Sequence, residues 1–267
     1  MKKLGFVLVG ITALLAAVSL FWTPYAPNIA SPDLLAGSSA EHLLGTDRFG
    51  RDIASRLMVG ARITLFVGGI AVGIAALVGV PLGVVAGMRR NSILDSLIMR
   101  GSDLLLAFPA LLLAIIAGAV WGPSTISAMI AIGIAGIPSF ARVARSGTLQ
   151  VVTQDFIASA RVSKVPAPTI AVRHILPNIA PLIIVQSSVY FALAILAEAG
   201  LSYLGLGTTP PTASWGRMLQ DSPSLLASHP MQAFRPGLAI AATVLGSNLL
   251  GDALRDILDP RLKGGQR

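Results

Sequence analysis

DFIASARVSKVPAPTIAVRHILPN, residues 155–178, is a charged, helix-forming insert between two long apolar runs. A membrane protein that only anchors or scaffolds has no use for a basic segment this long at a membrane surface. One that receives force from a soluble partner does, so the insert reads as a docking element for a motor. What flanks it decides the fold. Hydrophobic residues make up 54% of the 267 and charged residues 12%, with mean hydropathy +0.76; an average soluble domain carries about 25% charged residues. Runs of roughly 18 or more apolar residues mark membrane-spanning helices. Six such runs are expected, at about 6–22, 63–88, 97–120, 126–143, 180–198 and 238–258.

Helices are the expected spanning form, because in lipid every backbone N–H and C=O must be satisfied within the segment. The fold class is therefore all-α: a polytopic membrane protein with about six transmembrane helices and a cytoplasmic coupling helix, forming one membrane domain over 1–267. Pro123 and Pro138 bracket the fourth run, and Pro138 is expected to kink it. The 27 glycines and 17 prolines suit membrane helices whose backbones approach closely. The start, MKKLGFVLVGITALLAAVSLFW, has the basic and apolar regions of a signal peptide. With five more spans following and Trp22 where an interfacial anchor belongs, it reads as an uncleaved first helix. The chain has no cysteine, which excludes disulfides and thiolate metal sites.

The net charge of +8 is distributed by side of the membrane. With the N-terminus inside, only Arg48, Arg51, Arg56, Arg62, Arg217 and Arg235 of the 20 basic residues fall in external segments. The positive-inside rule then places both termini, and the insert, in the cytoplasm. No interleaving of aromatic with basic residues accompanies the charge, so no nucleic-acid partner is expected.

The external loops differ in character. In the first, 23–62, Gly45 and Gly50 supply turns. A helix beginning near Asp52 would put Ile53 and Leu57 on one face and leave Arg51, Ser55 and Arg62 to water or headgroups. It serves either as a lead-in to the second span or as a gate or docking surface for an external partner. The glycines and prolines of the second loop, 200–236, favour a tight, re-entrant path. Within the insert, 155–165 forms a helix with Asp155 at its positive end. Pro166 and Pro168 break it, and a second helix from about Thr169 is expected to end before Pro177.

Motifs of chemistry are missing: there is no GxxxxGK[ST] phosphate loop, GxSxG or HExxH, and His42, His174 and His229 lie in three different loops. No catalytic residue and no metal site is expected. Ionisable and polar residues within spans are more informative, because lipid makes them costly. Gln186, Tyr190, Ala194 and Glu198 recur at i+4 on one face of the fifth span, with Ser187 and Ser188 beside them. The stripe either bonds helix to helix or lines a translocation pathway through Gln186, Tyr190 and Glu198. In the sixth span Asn248, Asp252, Arg255, Asp256 and Asp259 cluster at i+3 and i+4, a pattern of local ion pairs and snorkelling.

Three blocks carry a family resemblance: His42–Asp52 with Ser55-Arg56 and Gly60-Ala61-Arg62; Arg161 with Arg173-His174-Ile175-Leu176-Pro177-Asn178; and 198–219 with the run from Asn248 to Arg261. The chain resembles permease subunits of bacterial ABC importers of the dipeptide/oligopeptide/nickel type, and among them the second, C-type peptide permease. The resemblance implies a coupling segment at about 145–178, seated in a cleft of an ATPase subunit. The family pattern is Glu-Ala-Ala, three residues, Gly, nine residues, Ile, one residue, Leu-Pro. Here it falls on Ala158-Ser159-Ala160, Lys164, His174 and Leu176-Pro177, and with Asp155, Arg161 and Arg173 these form the implied contact. Ala158 replaces the acidic residue, Ser159 the first alanine and Lys164 the turn glycine.

By the same resemblance the partners are a second, related permease (a heterodimer), two ABC ATPase subunits and an extracytoplasmic substrate-binding protein, in the bacterial cytoplasmic membrane. No cofactor is bound by this chain; ATP and Mg belong to the ATPase subunits. Di- or oligopeptides are the expected cargo, with nickel chelates, glutathione or another small solute as alternatives. A self-sufficient secondary carrier is the rival class, but no internal repeat of the kind such carriers show is visible.

Overall fold

In the structure, a computed structural model that describes residues 2–258, ten α-helices are recognised among the described residues. α1 (Lys2–Val18) is followed by a long connection and then by α2 (Ile53–Met88). α3 (Ile93–Ala107), α4 (Ala110–Trp121) and α5 (Thr125–Val151) come next, then the short α6 (Asp155–Val162) and α7 (Ala167–Ile170). α8 (Leu176–Tyr203), α9 (Trp215–Gln220) and α10 (Met231–Leu258) follow among the described residues. Four stretches are long and apolar enough to cross a membrane: Ile53–Met88, Thr125–Val151, Ala167–Tyr203 and Met231–Ile257. α1 is a shorter apolar helix of 17 residues, about 26 Å at 1.5 Å per residue.

The expected third span is not one straight helix. α3 and α4 meet at a bend of 80°. Pro109 offers no N–H and holds Phe108 in an extended conformation (φ −90°, ψ 124°), which ends α3. Two ion pairs tie α3 to α5: Asp95 with Arg145 at 2.7 Å and Asp103 with Arg142 at 2.5 Å. The aspartates lie about 12 Å apart along α3 and the arginines about 4.5 Å apart along α5. α3 is therefore fastened to α5 by its charged residues, and α4 leaves it at the bend.

α2 absorbs the expected lead-in helix into a single helix of 36 residues. Asp52 caps it, accepting from Ser55 N at 2.8 Å and Ser55 Oγ at 2.7 Å, while its other oxygen lies 2.9 Å from His42 Nδ1. Ser55 is thereby buried and Arg51 largely so, not turned to water as their spacing predicts. Pro138 leaves α5 uninterrupted from Thr125 to Val151.

α2 and α5 run parallel with small residues meshed at four-residue intervals. Gly79 lies against Phe140, Gly83 against Ala144, and Gly87 against Thr148. A Cβ at Gly79 would come 2.5 Å from the Ile137 carbonyl oxygen, and one at Gly83 would run into that of Ala141. Backbones this close exchange dispersion contacts that longer side chains would forbid. α8 packs antiparallel on α5, with Ile179 and Leu182 over Gly147 and Tyr190 over Gly136. α1 packs antiparallel on α10, where Leu8 and Val9 meet Gly246 and the hydroxyls of Thr12 and Thr243 lie 2.9 Å apart.

The second loop folds into α9, capped by Ser214, which accepts from Arg217 N. Trp215 is buried against Gly60 and donates to the Leu57 carbonyl at 3.0 Å. The expected end of the insert's second helix before Pro177 is corrected. α7, one turn of π-helix (Ala171–Ile175) and α8 continue without a gap. The turn's i+5 bonding, Leu176 N to Ala171 O, accommodates the N–H that Pro177 lacks. On α10, Asn248, Asp252, Arg255 and Asp256 are exposed; Asp259 and Arg261 lie outside the described residues.

Candidate functional site

The insert forms a bracket at the end of the bundle where α2 and α5 terminate. α6 turns Ile157 and Ala160 inward, and Ile157, Ile170, Ile175 and Ile179 share one buried apolar cluster with Val84 of α2 and Ala144 of α5. The opposite face of α6 carries Asp155, Ala158 and Ser159, with Arg161 on its flank, all exposed. Asp155 stands in the first turn and Arg161 in the last, each complementing the helix dipole. Lys164, Arg173 and Pro177 are exposed, while His174 and Leu176 are half-buried. His174 faces the Phe156 ring with centroids 6.3 Å apart, and its carbonyl accepts from Asn178 Nδ2 at 2.7 Å. All the expected coupling residues thus fall on one compact bracket, with Ala160 as its inward anchor.

The bracket's turn depends on one unusual residue. Lys164 has φ +56°, the left-handed region that favours glycine. Its N–H bonds the Arg161 carbonyl at 2.9 Å and that of Val165 bonds the Ala160 carbonyl at 3.0 Å, a Schellman ending for α6. Beside it an apolar groove of about 1010 Å³ runs between α2 and the insert, with Val80, Val84 and Met88 on one side, Val165 and Ile170 on the other, and Arg89 and Arg161 also in its lining.

The polar stripe of α8 lies mostly inside the subunit. Tyr190 is buried, donates to the Ile132 carbonyl at 2.5 Å, and stands edge-on to Phe140 with centroids 5.7 Å apart. Ala194 is fully buried. Glu198 is 1% exposed; its Oε1 accepts from Ser202 Oγ at 2.6 Å and from Thr208 Oγ1 at 3.3 Å. Gln186 is half-buried at the edge of this packing, and Ser187 and Ser188 donate to carbonyls of their own helix. Tyr190 therefore ties α8 to α5, and Glu198 ties it to the loop before α9.

A second cluster, which no local spacing in the chain announces, joins the loop before α2 to the loop after α8. Asp221 accepts from Arg48 at 2.9 Å and from Arg51 at 3.3 Å, with Arg217 at 3.9 Å. Asp47 accepts from Arg51 at 2.7 Å and lies 3.7 Å from Arg56. Arg56 is 1% exposed; it donates to the Pro27 carbonyl at 3.1 Å, and its Nε has no hydrogen-bond partner among the described residues. Residues 47–56 and 217–221 meet only through the fold, although the runs containing them both carried the family resemblance.

Comparison with known proteins agrees with this architecture. The family described as "Binding-protein-dependent transport system inner membrane component" matches residues 79–264. The dipeptide transport system permease protein DppC of Alkalihalophilus pseudofirmus is 44% identical over 259 residues, covering 97% of this chain and 83% of that protein. The glutathione transport system permease protein GsiD of Escherichia coli is 46% identical over 256 residues, covering 94% and 84%. Among solved structures, an inward-facing MetNI methionine ABC transporter chain superposes with a TM-score of 0.62 at 15% identity, over 76% of this chain and 96% of the other, a likeness of fold. With the family's match covering most of the chain and relatives this similar along nearly all of it, this protein belongs to the binding-protein-dependent transport system inner membrane components.

Proposed function

We propose that this chain is the permease subunit of an ATP-driven importer of small peptides in the bacterial cytoplasmic membrane, with both termini and the insert in the cytoplasm. Relatives named for dipeptide and for glutathione transport support a short peptide, including a γ-linked one, as cargo. The observation that carries the reading is the bracket. A charged helix presents one exposed face while its inward face is packed into the ends of α2, α5 and α8. Force applied to α6 by an ATPase would reach three membrane helices through Ile157, Ile170 and Ile175, without a flexible link.

In this reading a second, related permease completes the pathway, and two ATPase subunits bind the ATP and Mg and dock on Asp155, Ala158, Ser159, Arg161 and Arg173. An extracytoplasmic binding protein delivers cargo. Closure of the ATPases moves the bracket and tilts α5 and α8, opening the pathway alternately to each side. Gln186 is the stripe residue placed to meet cargo; Tyr190 and Glu198 hold α8 in register behind it.

The test is a double charge reversal. Arg161→Glu with Arg173→Glu should reduce co-purification of the ATPase and abolish ATP-dependent peptide uptake, while the amount of permease in the membrane stays unchanged. Full assembly and transport by the doubly reversed protein would sink the proposal. Uptake that needs no ATPase at all would place the chain among the secondary carriers.

A further inference from the structure

The external cluster has a charge imbalance and an opening. Four guanidiniums, of Arg48, Arg51, Arg56 and Arg217, share the carboxylates of Asp47 and Asp221. Holding a guanidinium such as that of Arg56 out of water is unfavourable unless a counter-charge meets it closely, yet its nearest carboxylate stands 3.7 Å away. A cavity of about 240 Å³ reaches this cluster, with Arg51, Arg56, Arg217 and Asp221 in its wall and Phe49 and Pro211 beside them. Phe49 lies 4.6 Å from the guanidinium carbons of both Arg48 and Arg51, and these cation–π contacts hold two of the cations in place before anything binds.

We propose that this cavity is a carboxylate-binding site that takes a single carboxylate group from a ligand arriving at the outer face. Guanidinium forks match a planar carboxylate in geometry and charge. The cavity falls below the roughly 300–1,000 Å³ of pockets that enclose whole ligands, so it suits an acidic terminus or side chain, its carbon stem lying against Phe49 and Pro211. Asp221 in the wall disfavours a doubly charged phosphate more than a singly charged carboxylate. The outward aspect of the site rests on the topology proposed above; its ligand chemistry does not.

The experiment uses the full transporter complex in lipid nanodiscs, with sodium acetate as probe and sodium chloride at equal ionic strength as reference. Acetate should raise the thermal unfolding midpoint above the chloride control. Arg217→Gln, which removes one cation, and Thr212→Glu, which brings a carboxylate of the protein's own to a residue of the cavity wall, should each raise the acetate concentration needed by about ten-fold or more, as expected for loss of a charged hydrogen-bonding partner. Neither variant alters the fully buried Arg56. An acetate response equal to that in chloride, or one that both variants retain in full, overturns the proposal. A further measurement finds the source of the carboxylate. Competition between acetate and the extracytoplasmic binding protein assigns it to an acidic side chain of that partner. A midpoint shift by a dipeptide but not by its C-terminal amide, without such competition, assigns it to cargo. The acetate measurement reads thermal unfolding and needs neither transport nor ATP hydrolysis, so its result stands apart from that of the charge-reversal test.

Discussion

Lys164 shows how a single residue can carry both a family position and a local cost. A non-glycine residue in the left-handed region sacrifices about 1–2 kcal/mol to the contact between Cβ and carbonyl, and Lys164 occupies that region at φ +56°. The resemblance assigns a glycine to this position, but only the backbone reveals why. Lys164→Gly should stabilise the protein by about 0.5–1 kcal/mol, the relieved strain less the extra freedom of the unfolded chain. Lys164→Val, β-branched at a positive φ, should lower the unfolding midpoint. Thermal unfolding of the two variants checks both signs. Asp52 is the opposite case: its role at the head of α2 is legible from its type and place, and the structure seats it there with two bonds from Ser55.

Between elements, the decisive contact is the parallel packing of α2 on α5. Glycines are visible in the sequence, yet nothing in their spacing says that Gly79, Gly83 and Gly87 face Phe140, Ala144 and Thr148 while Gly73 faces open space. Gly83→Ala should destabilise by about 1–3 kcal/mol, because its methyl group meets backbone that cannot yield. Gly73→Ala should be neutral or slightly stabilising, since helix propensity favours alanine by up to about 1 kcal/mol. Unfolding midpoints in detergent compare the pair directly. Equal effects would mean that the two helices do not depend on close backbone approach. The broken third span has a similar lesson. Its run of apolar residues is continuous enough to suggest one span, but Pro109 bends it by 80° and the ion pairs to Arg142 and Arg145 fasten its first half to α5.

At the scale of the whole molecule, the proposed pathway runs where α8 still has a polar edge. The i+4 pattern alone treats Gln186 and Ala194 alike and sets Val189 apart. In the structure Ala194 is fully buried, Gln186 half-buried and Val189 43% exposed. With no native cysteine, single substitutions can be read without background. Gln186→Cys should react with a water-soluble thiol reagent at a rate that changes when ATP is bound to the complex, and Ala194→Cys should stay unreactive in every nucleotide state. Val189→Cys should be slow, its face turned to lipid or to another subunit. Fast labelling at Val189 would move the pathway to that face.

The sequence by itself determined the membrane-crossing character, the all-helical fold, the charged bracket at one end and the family, because each is written in hydropathy, charge and residue order along the chain. Tertiary structure alone decided which helices touch, that Tyr190 and Glu198 turn inward, that the third span breaks, and that residues 47–56 meet residues 217–221. The physical reason is the solvent. Lipid tails are as apolar as the side chains that pack helix against helix, so hydrophobicity cannot distinguish a lipid-facing residue from a buried one. Ion pairs more than 160 residues apart in sequence, such as Arg51 with Asp221 at 3.3 Å, exist only once close packing of small residues has set every helix in place.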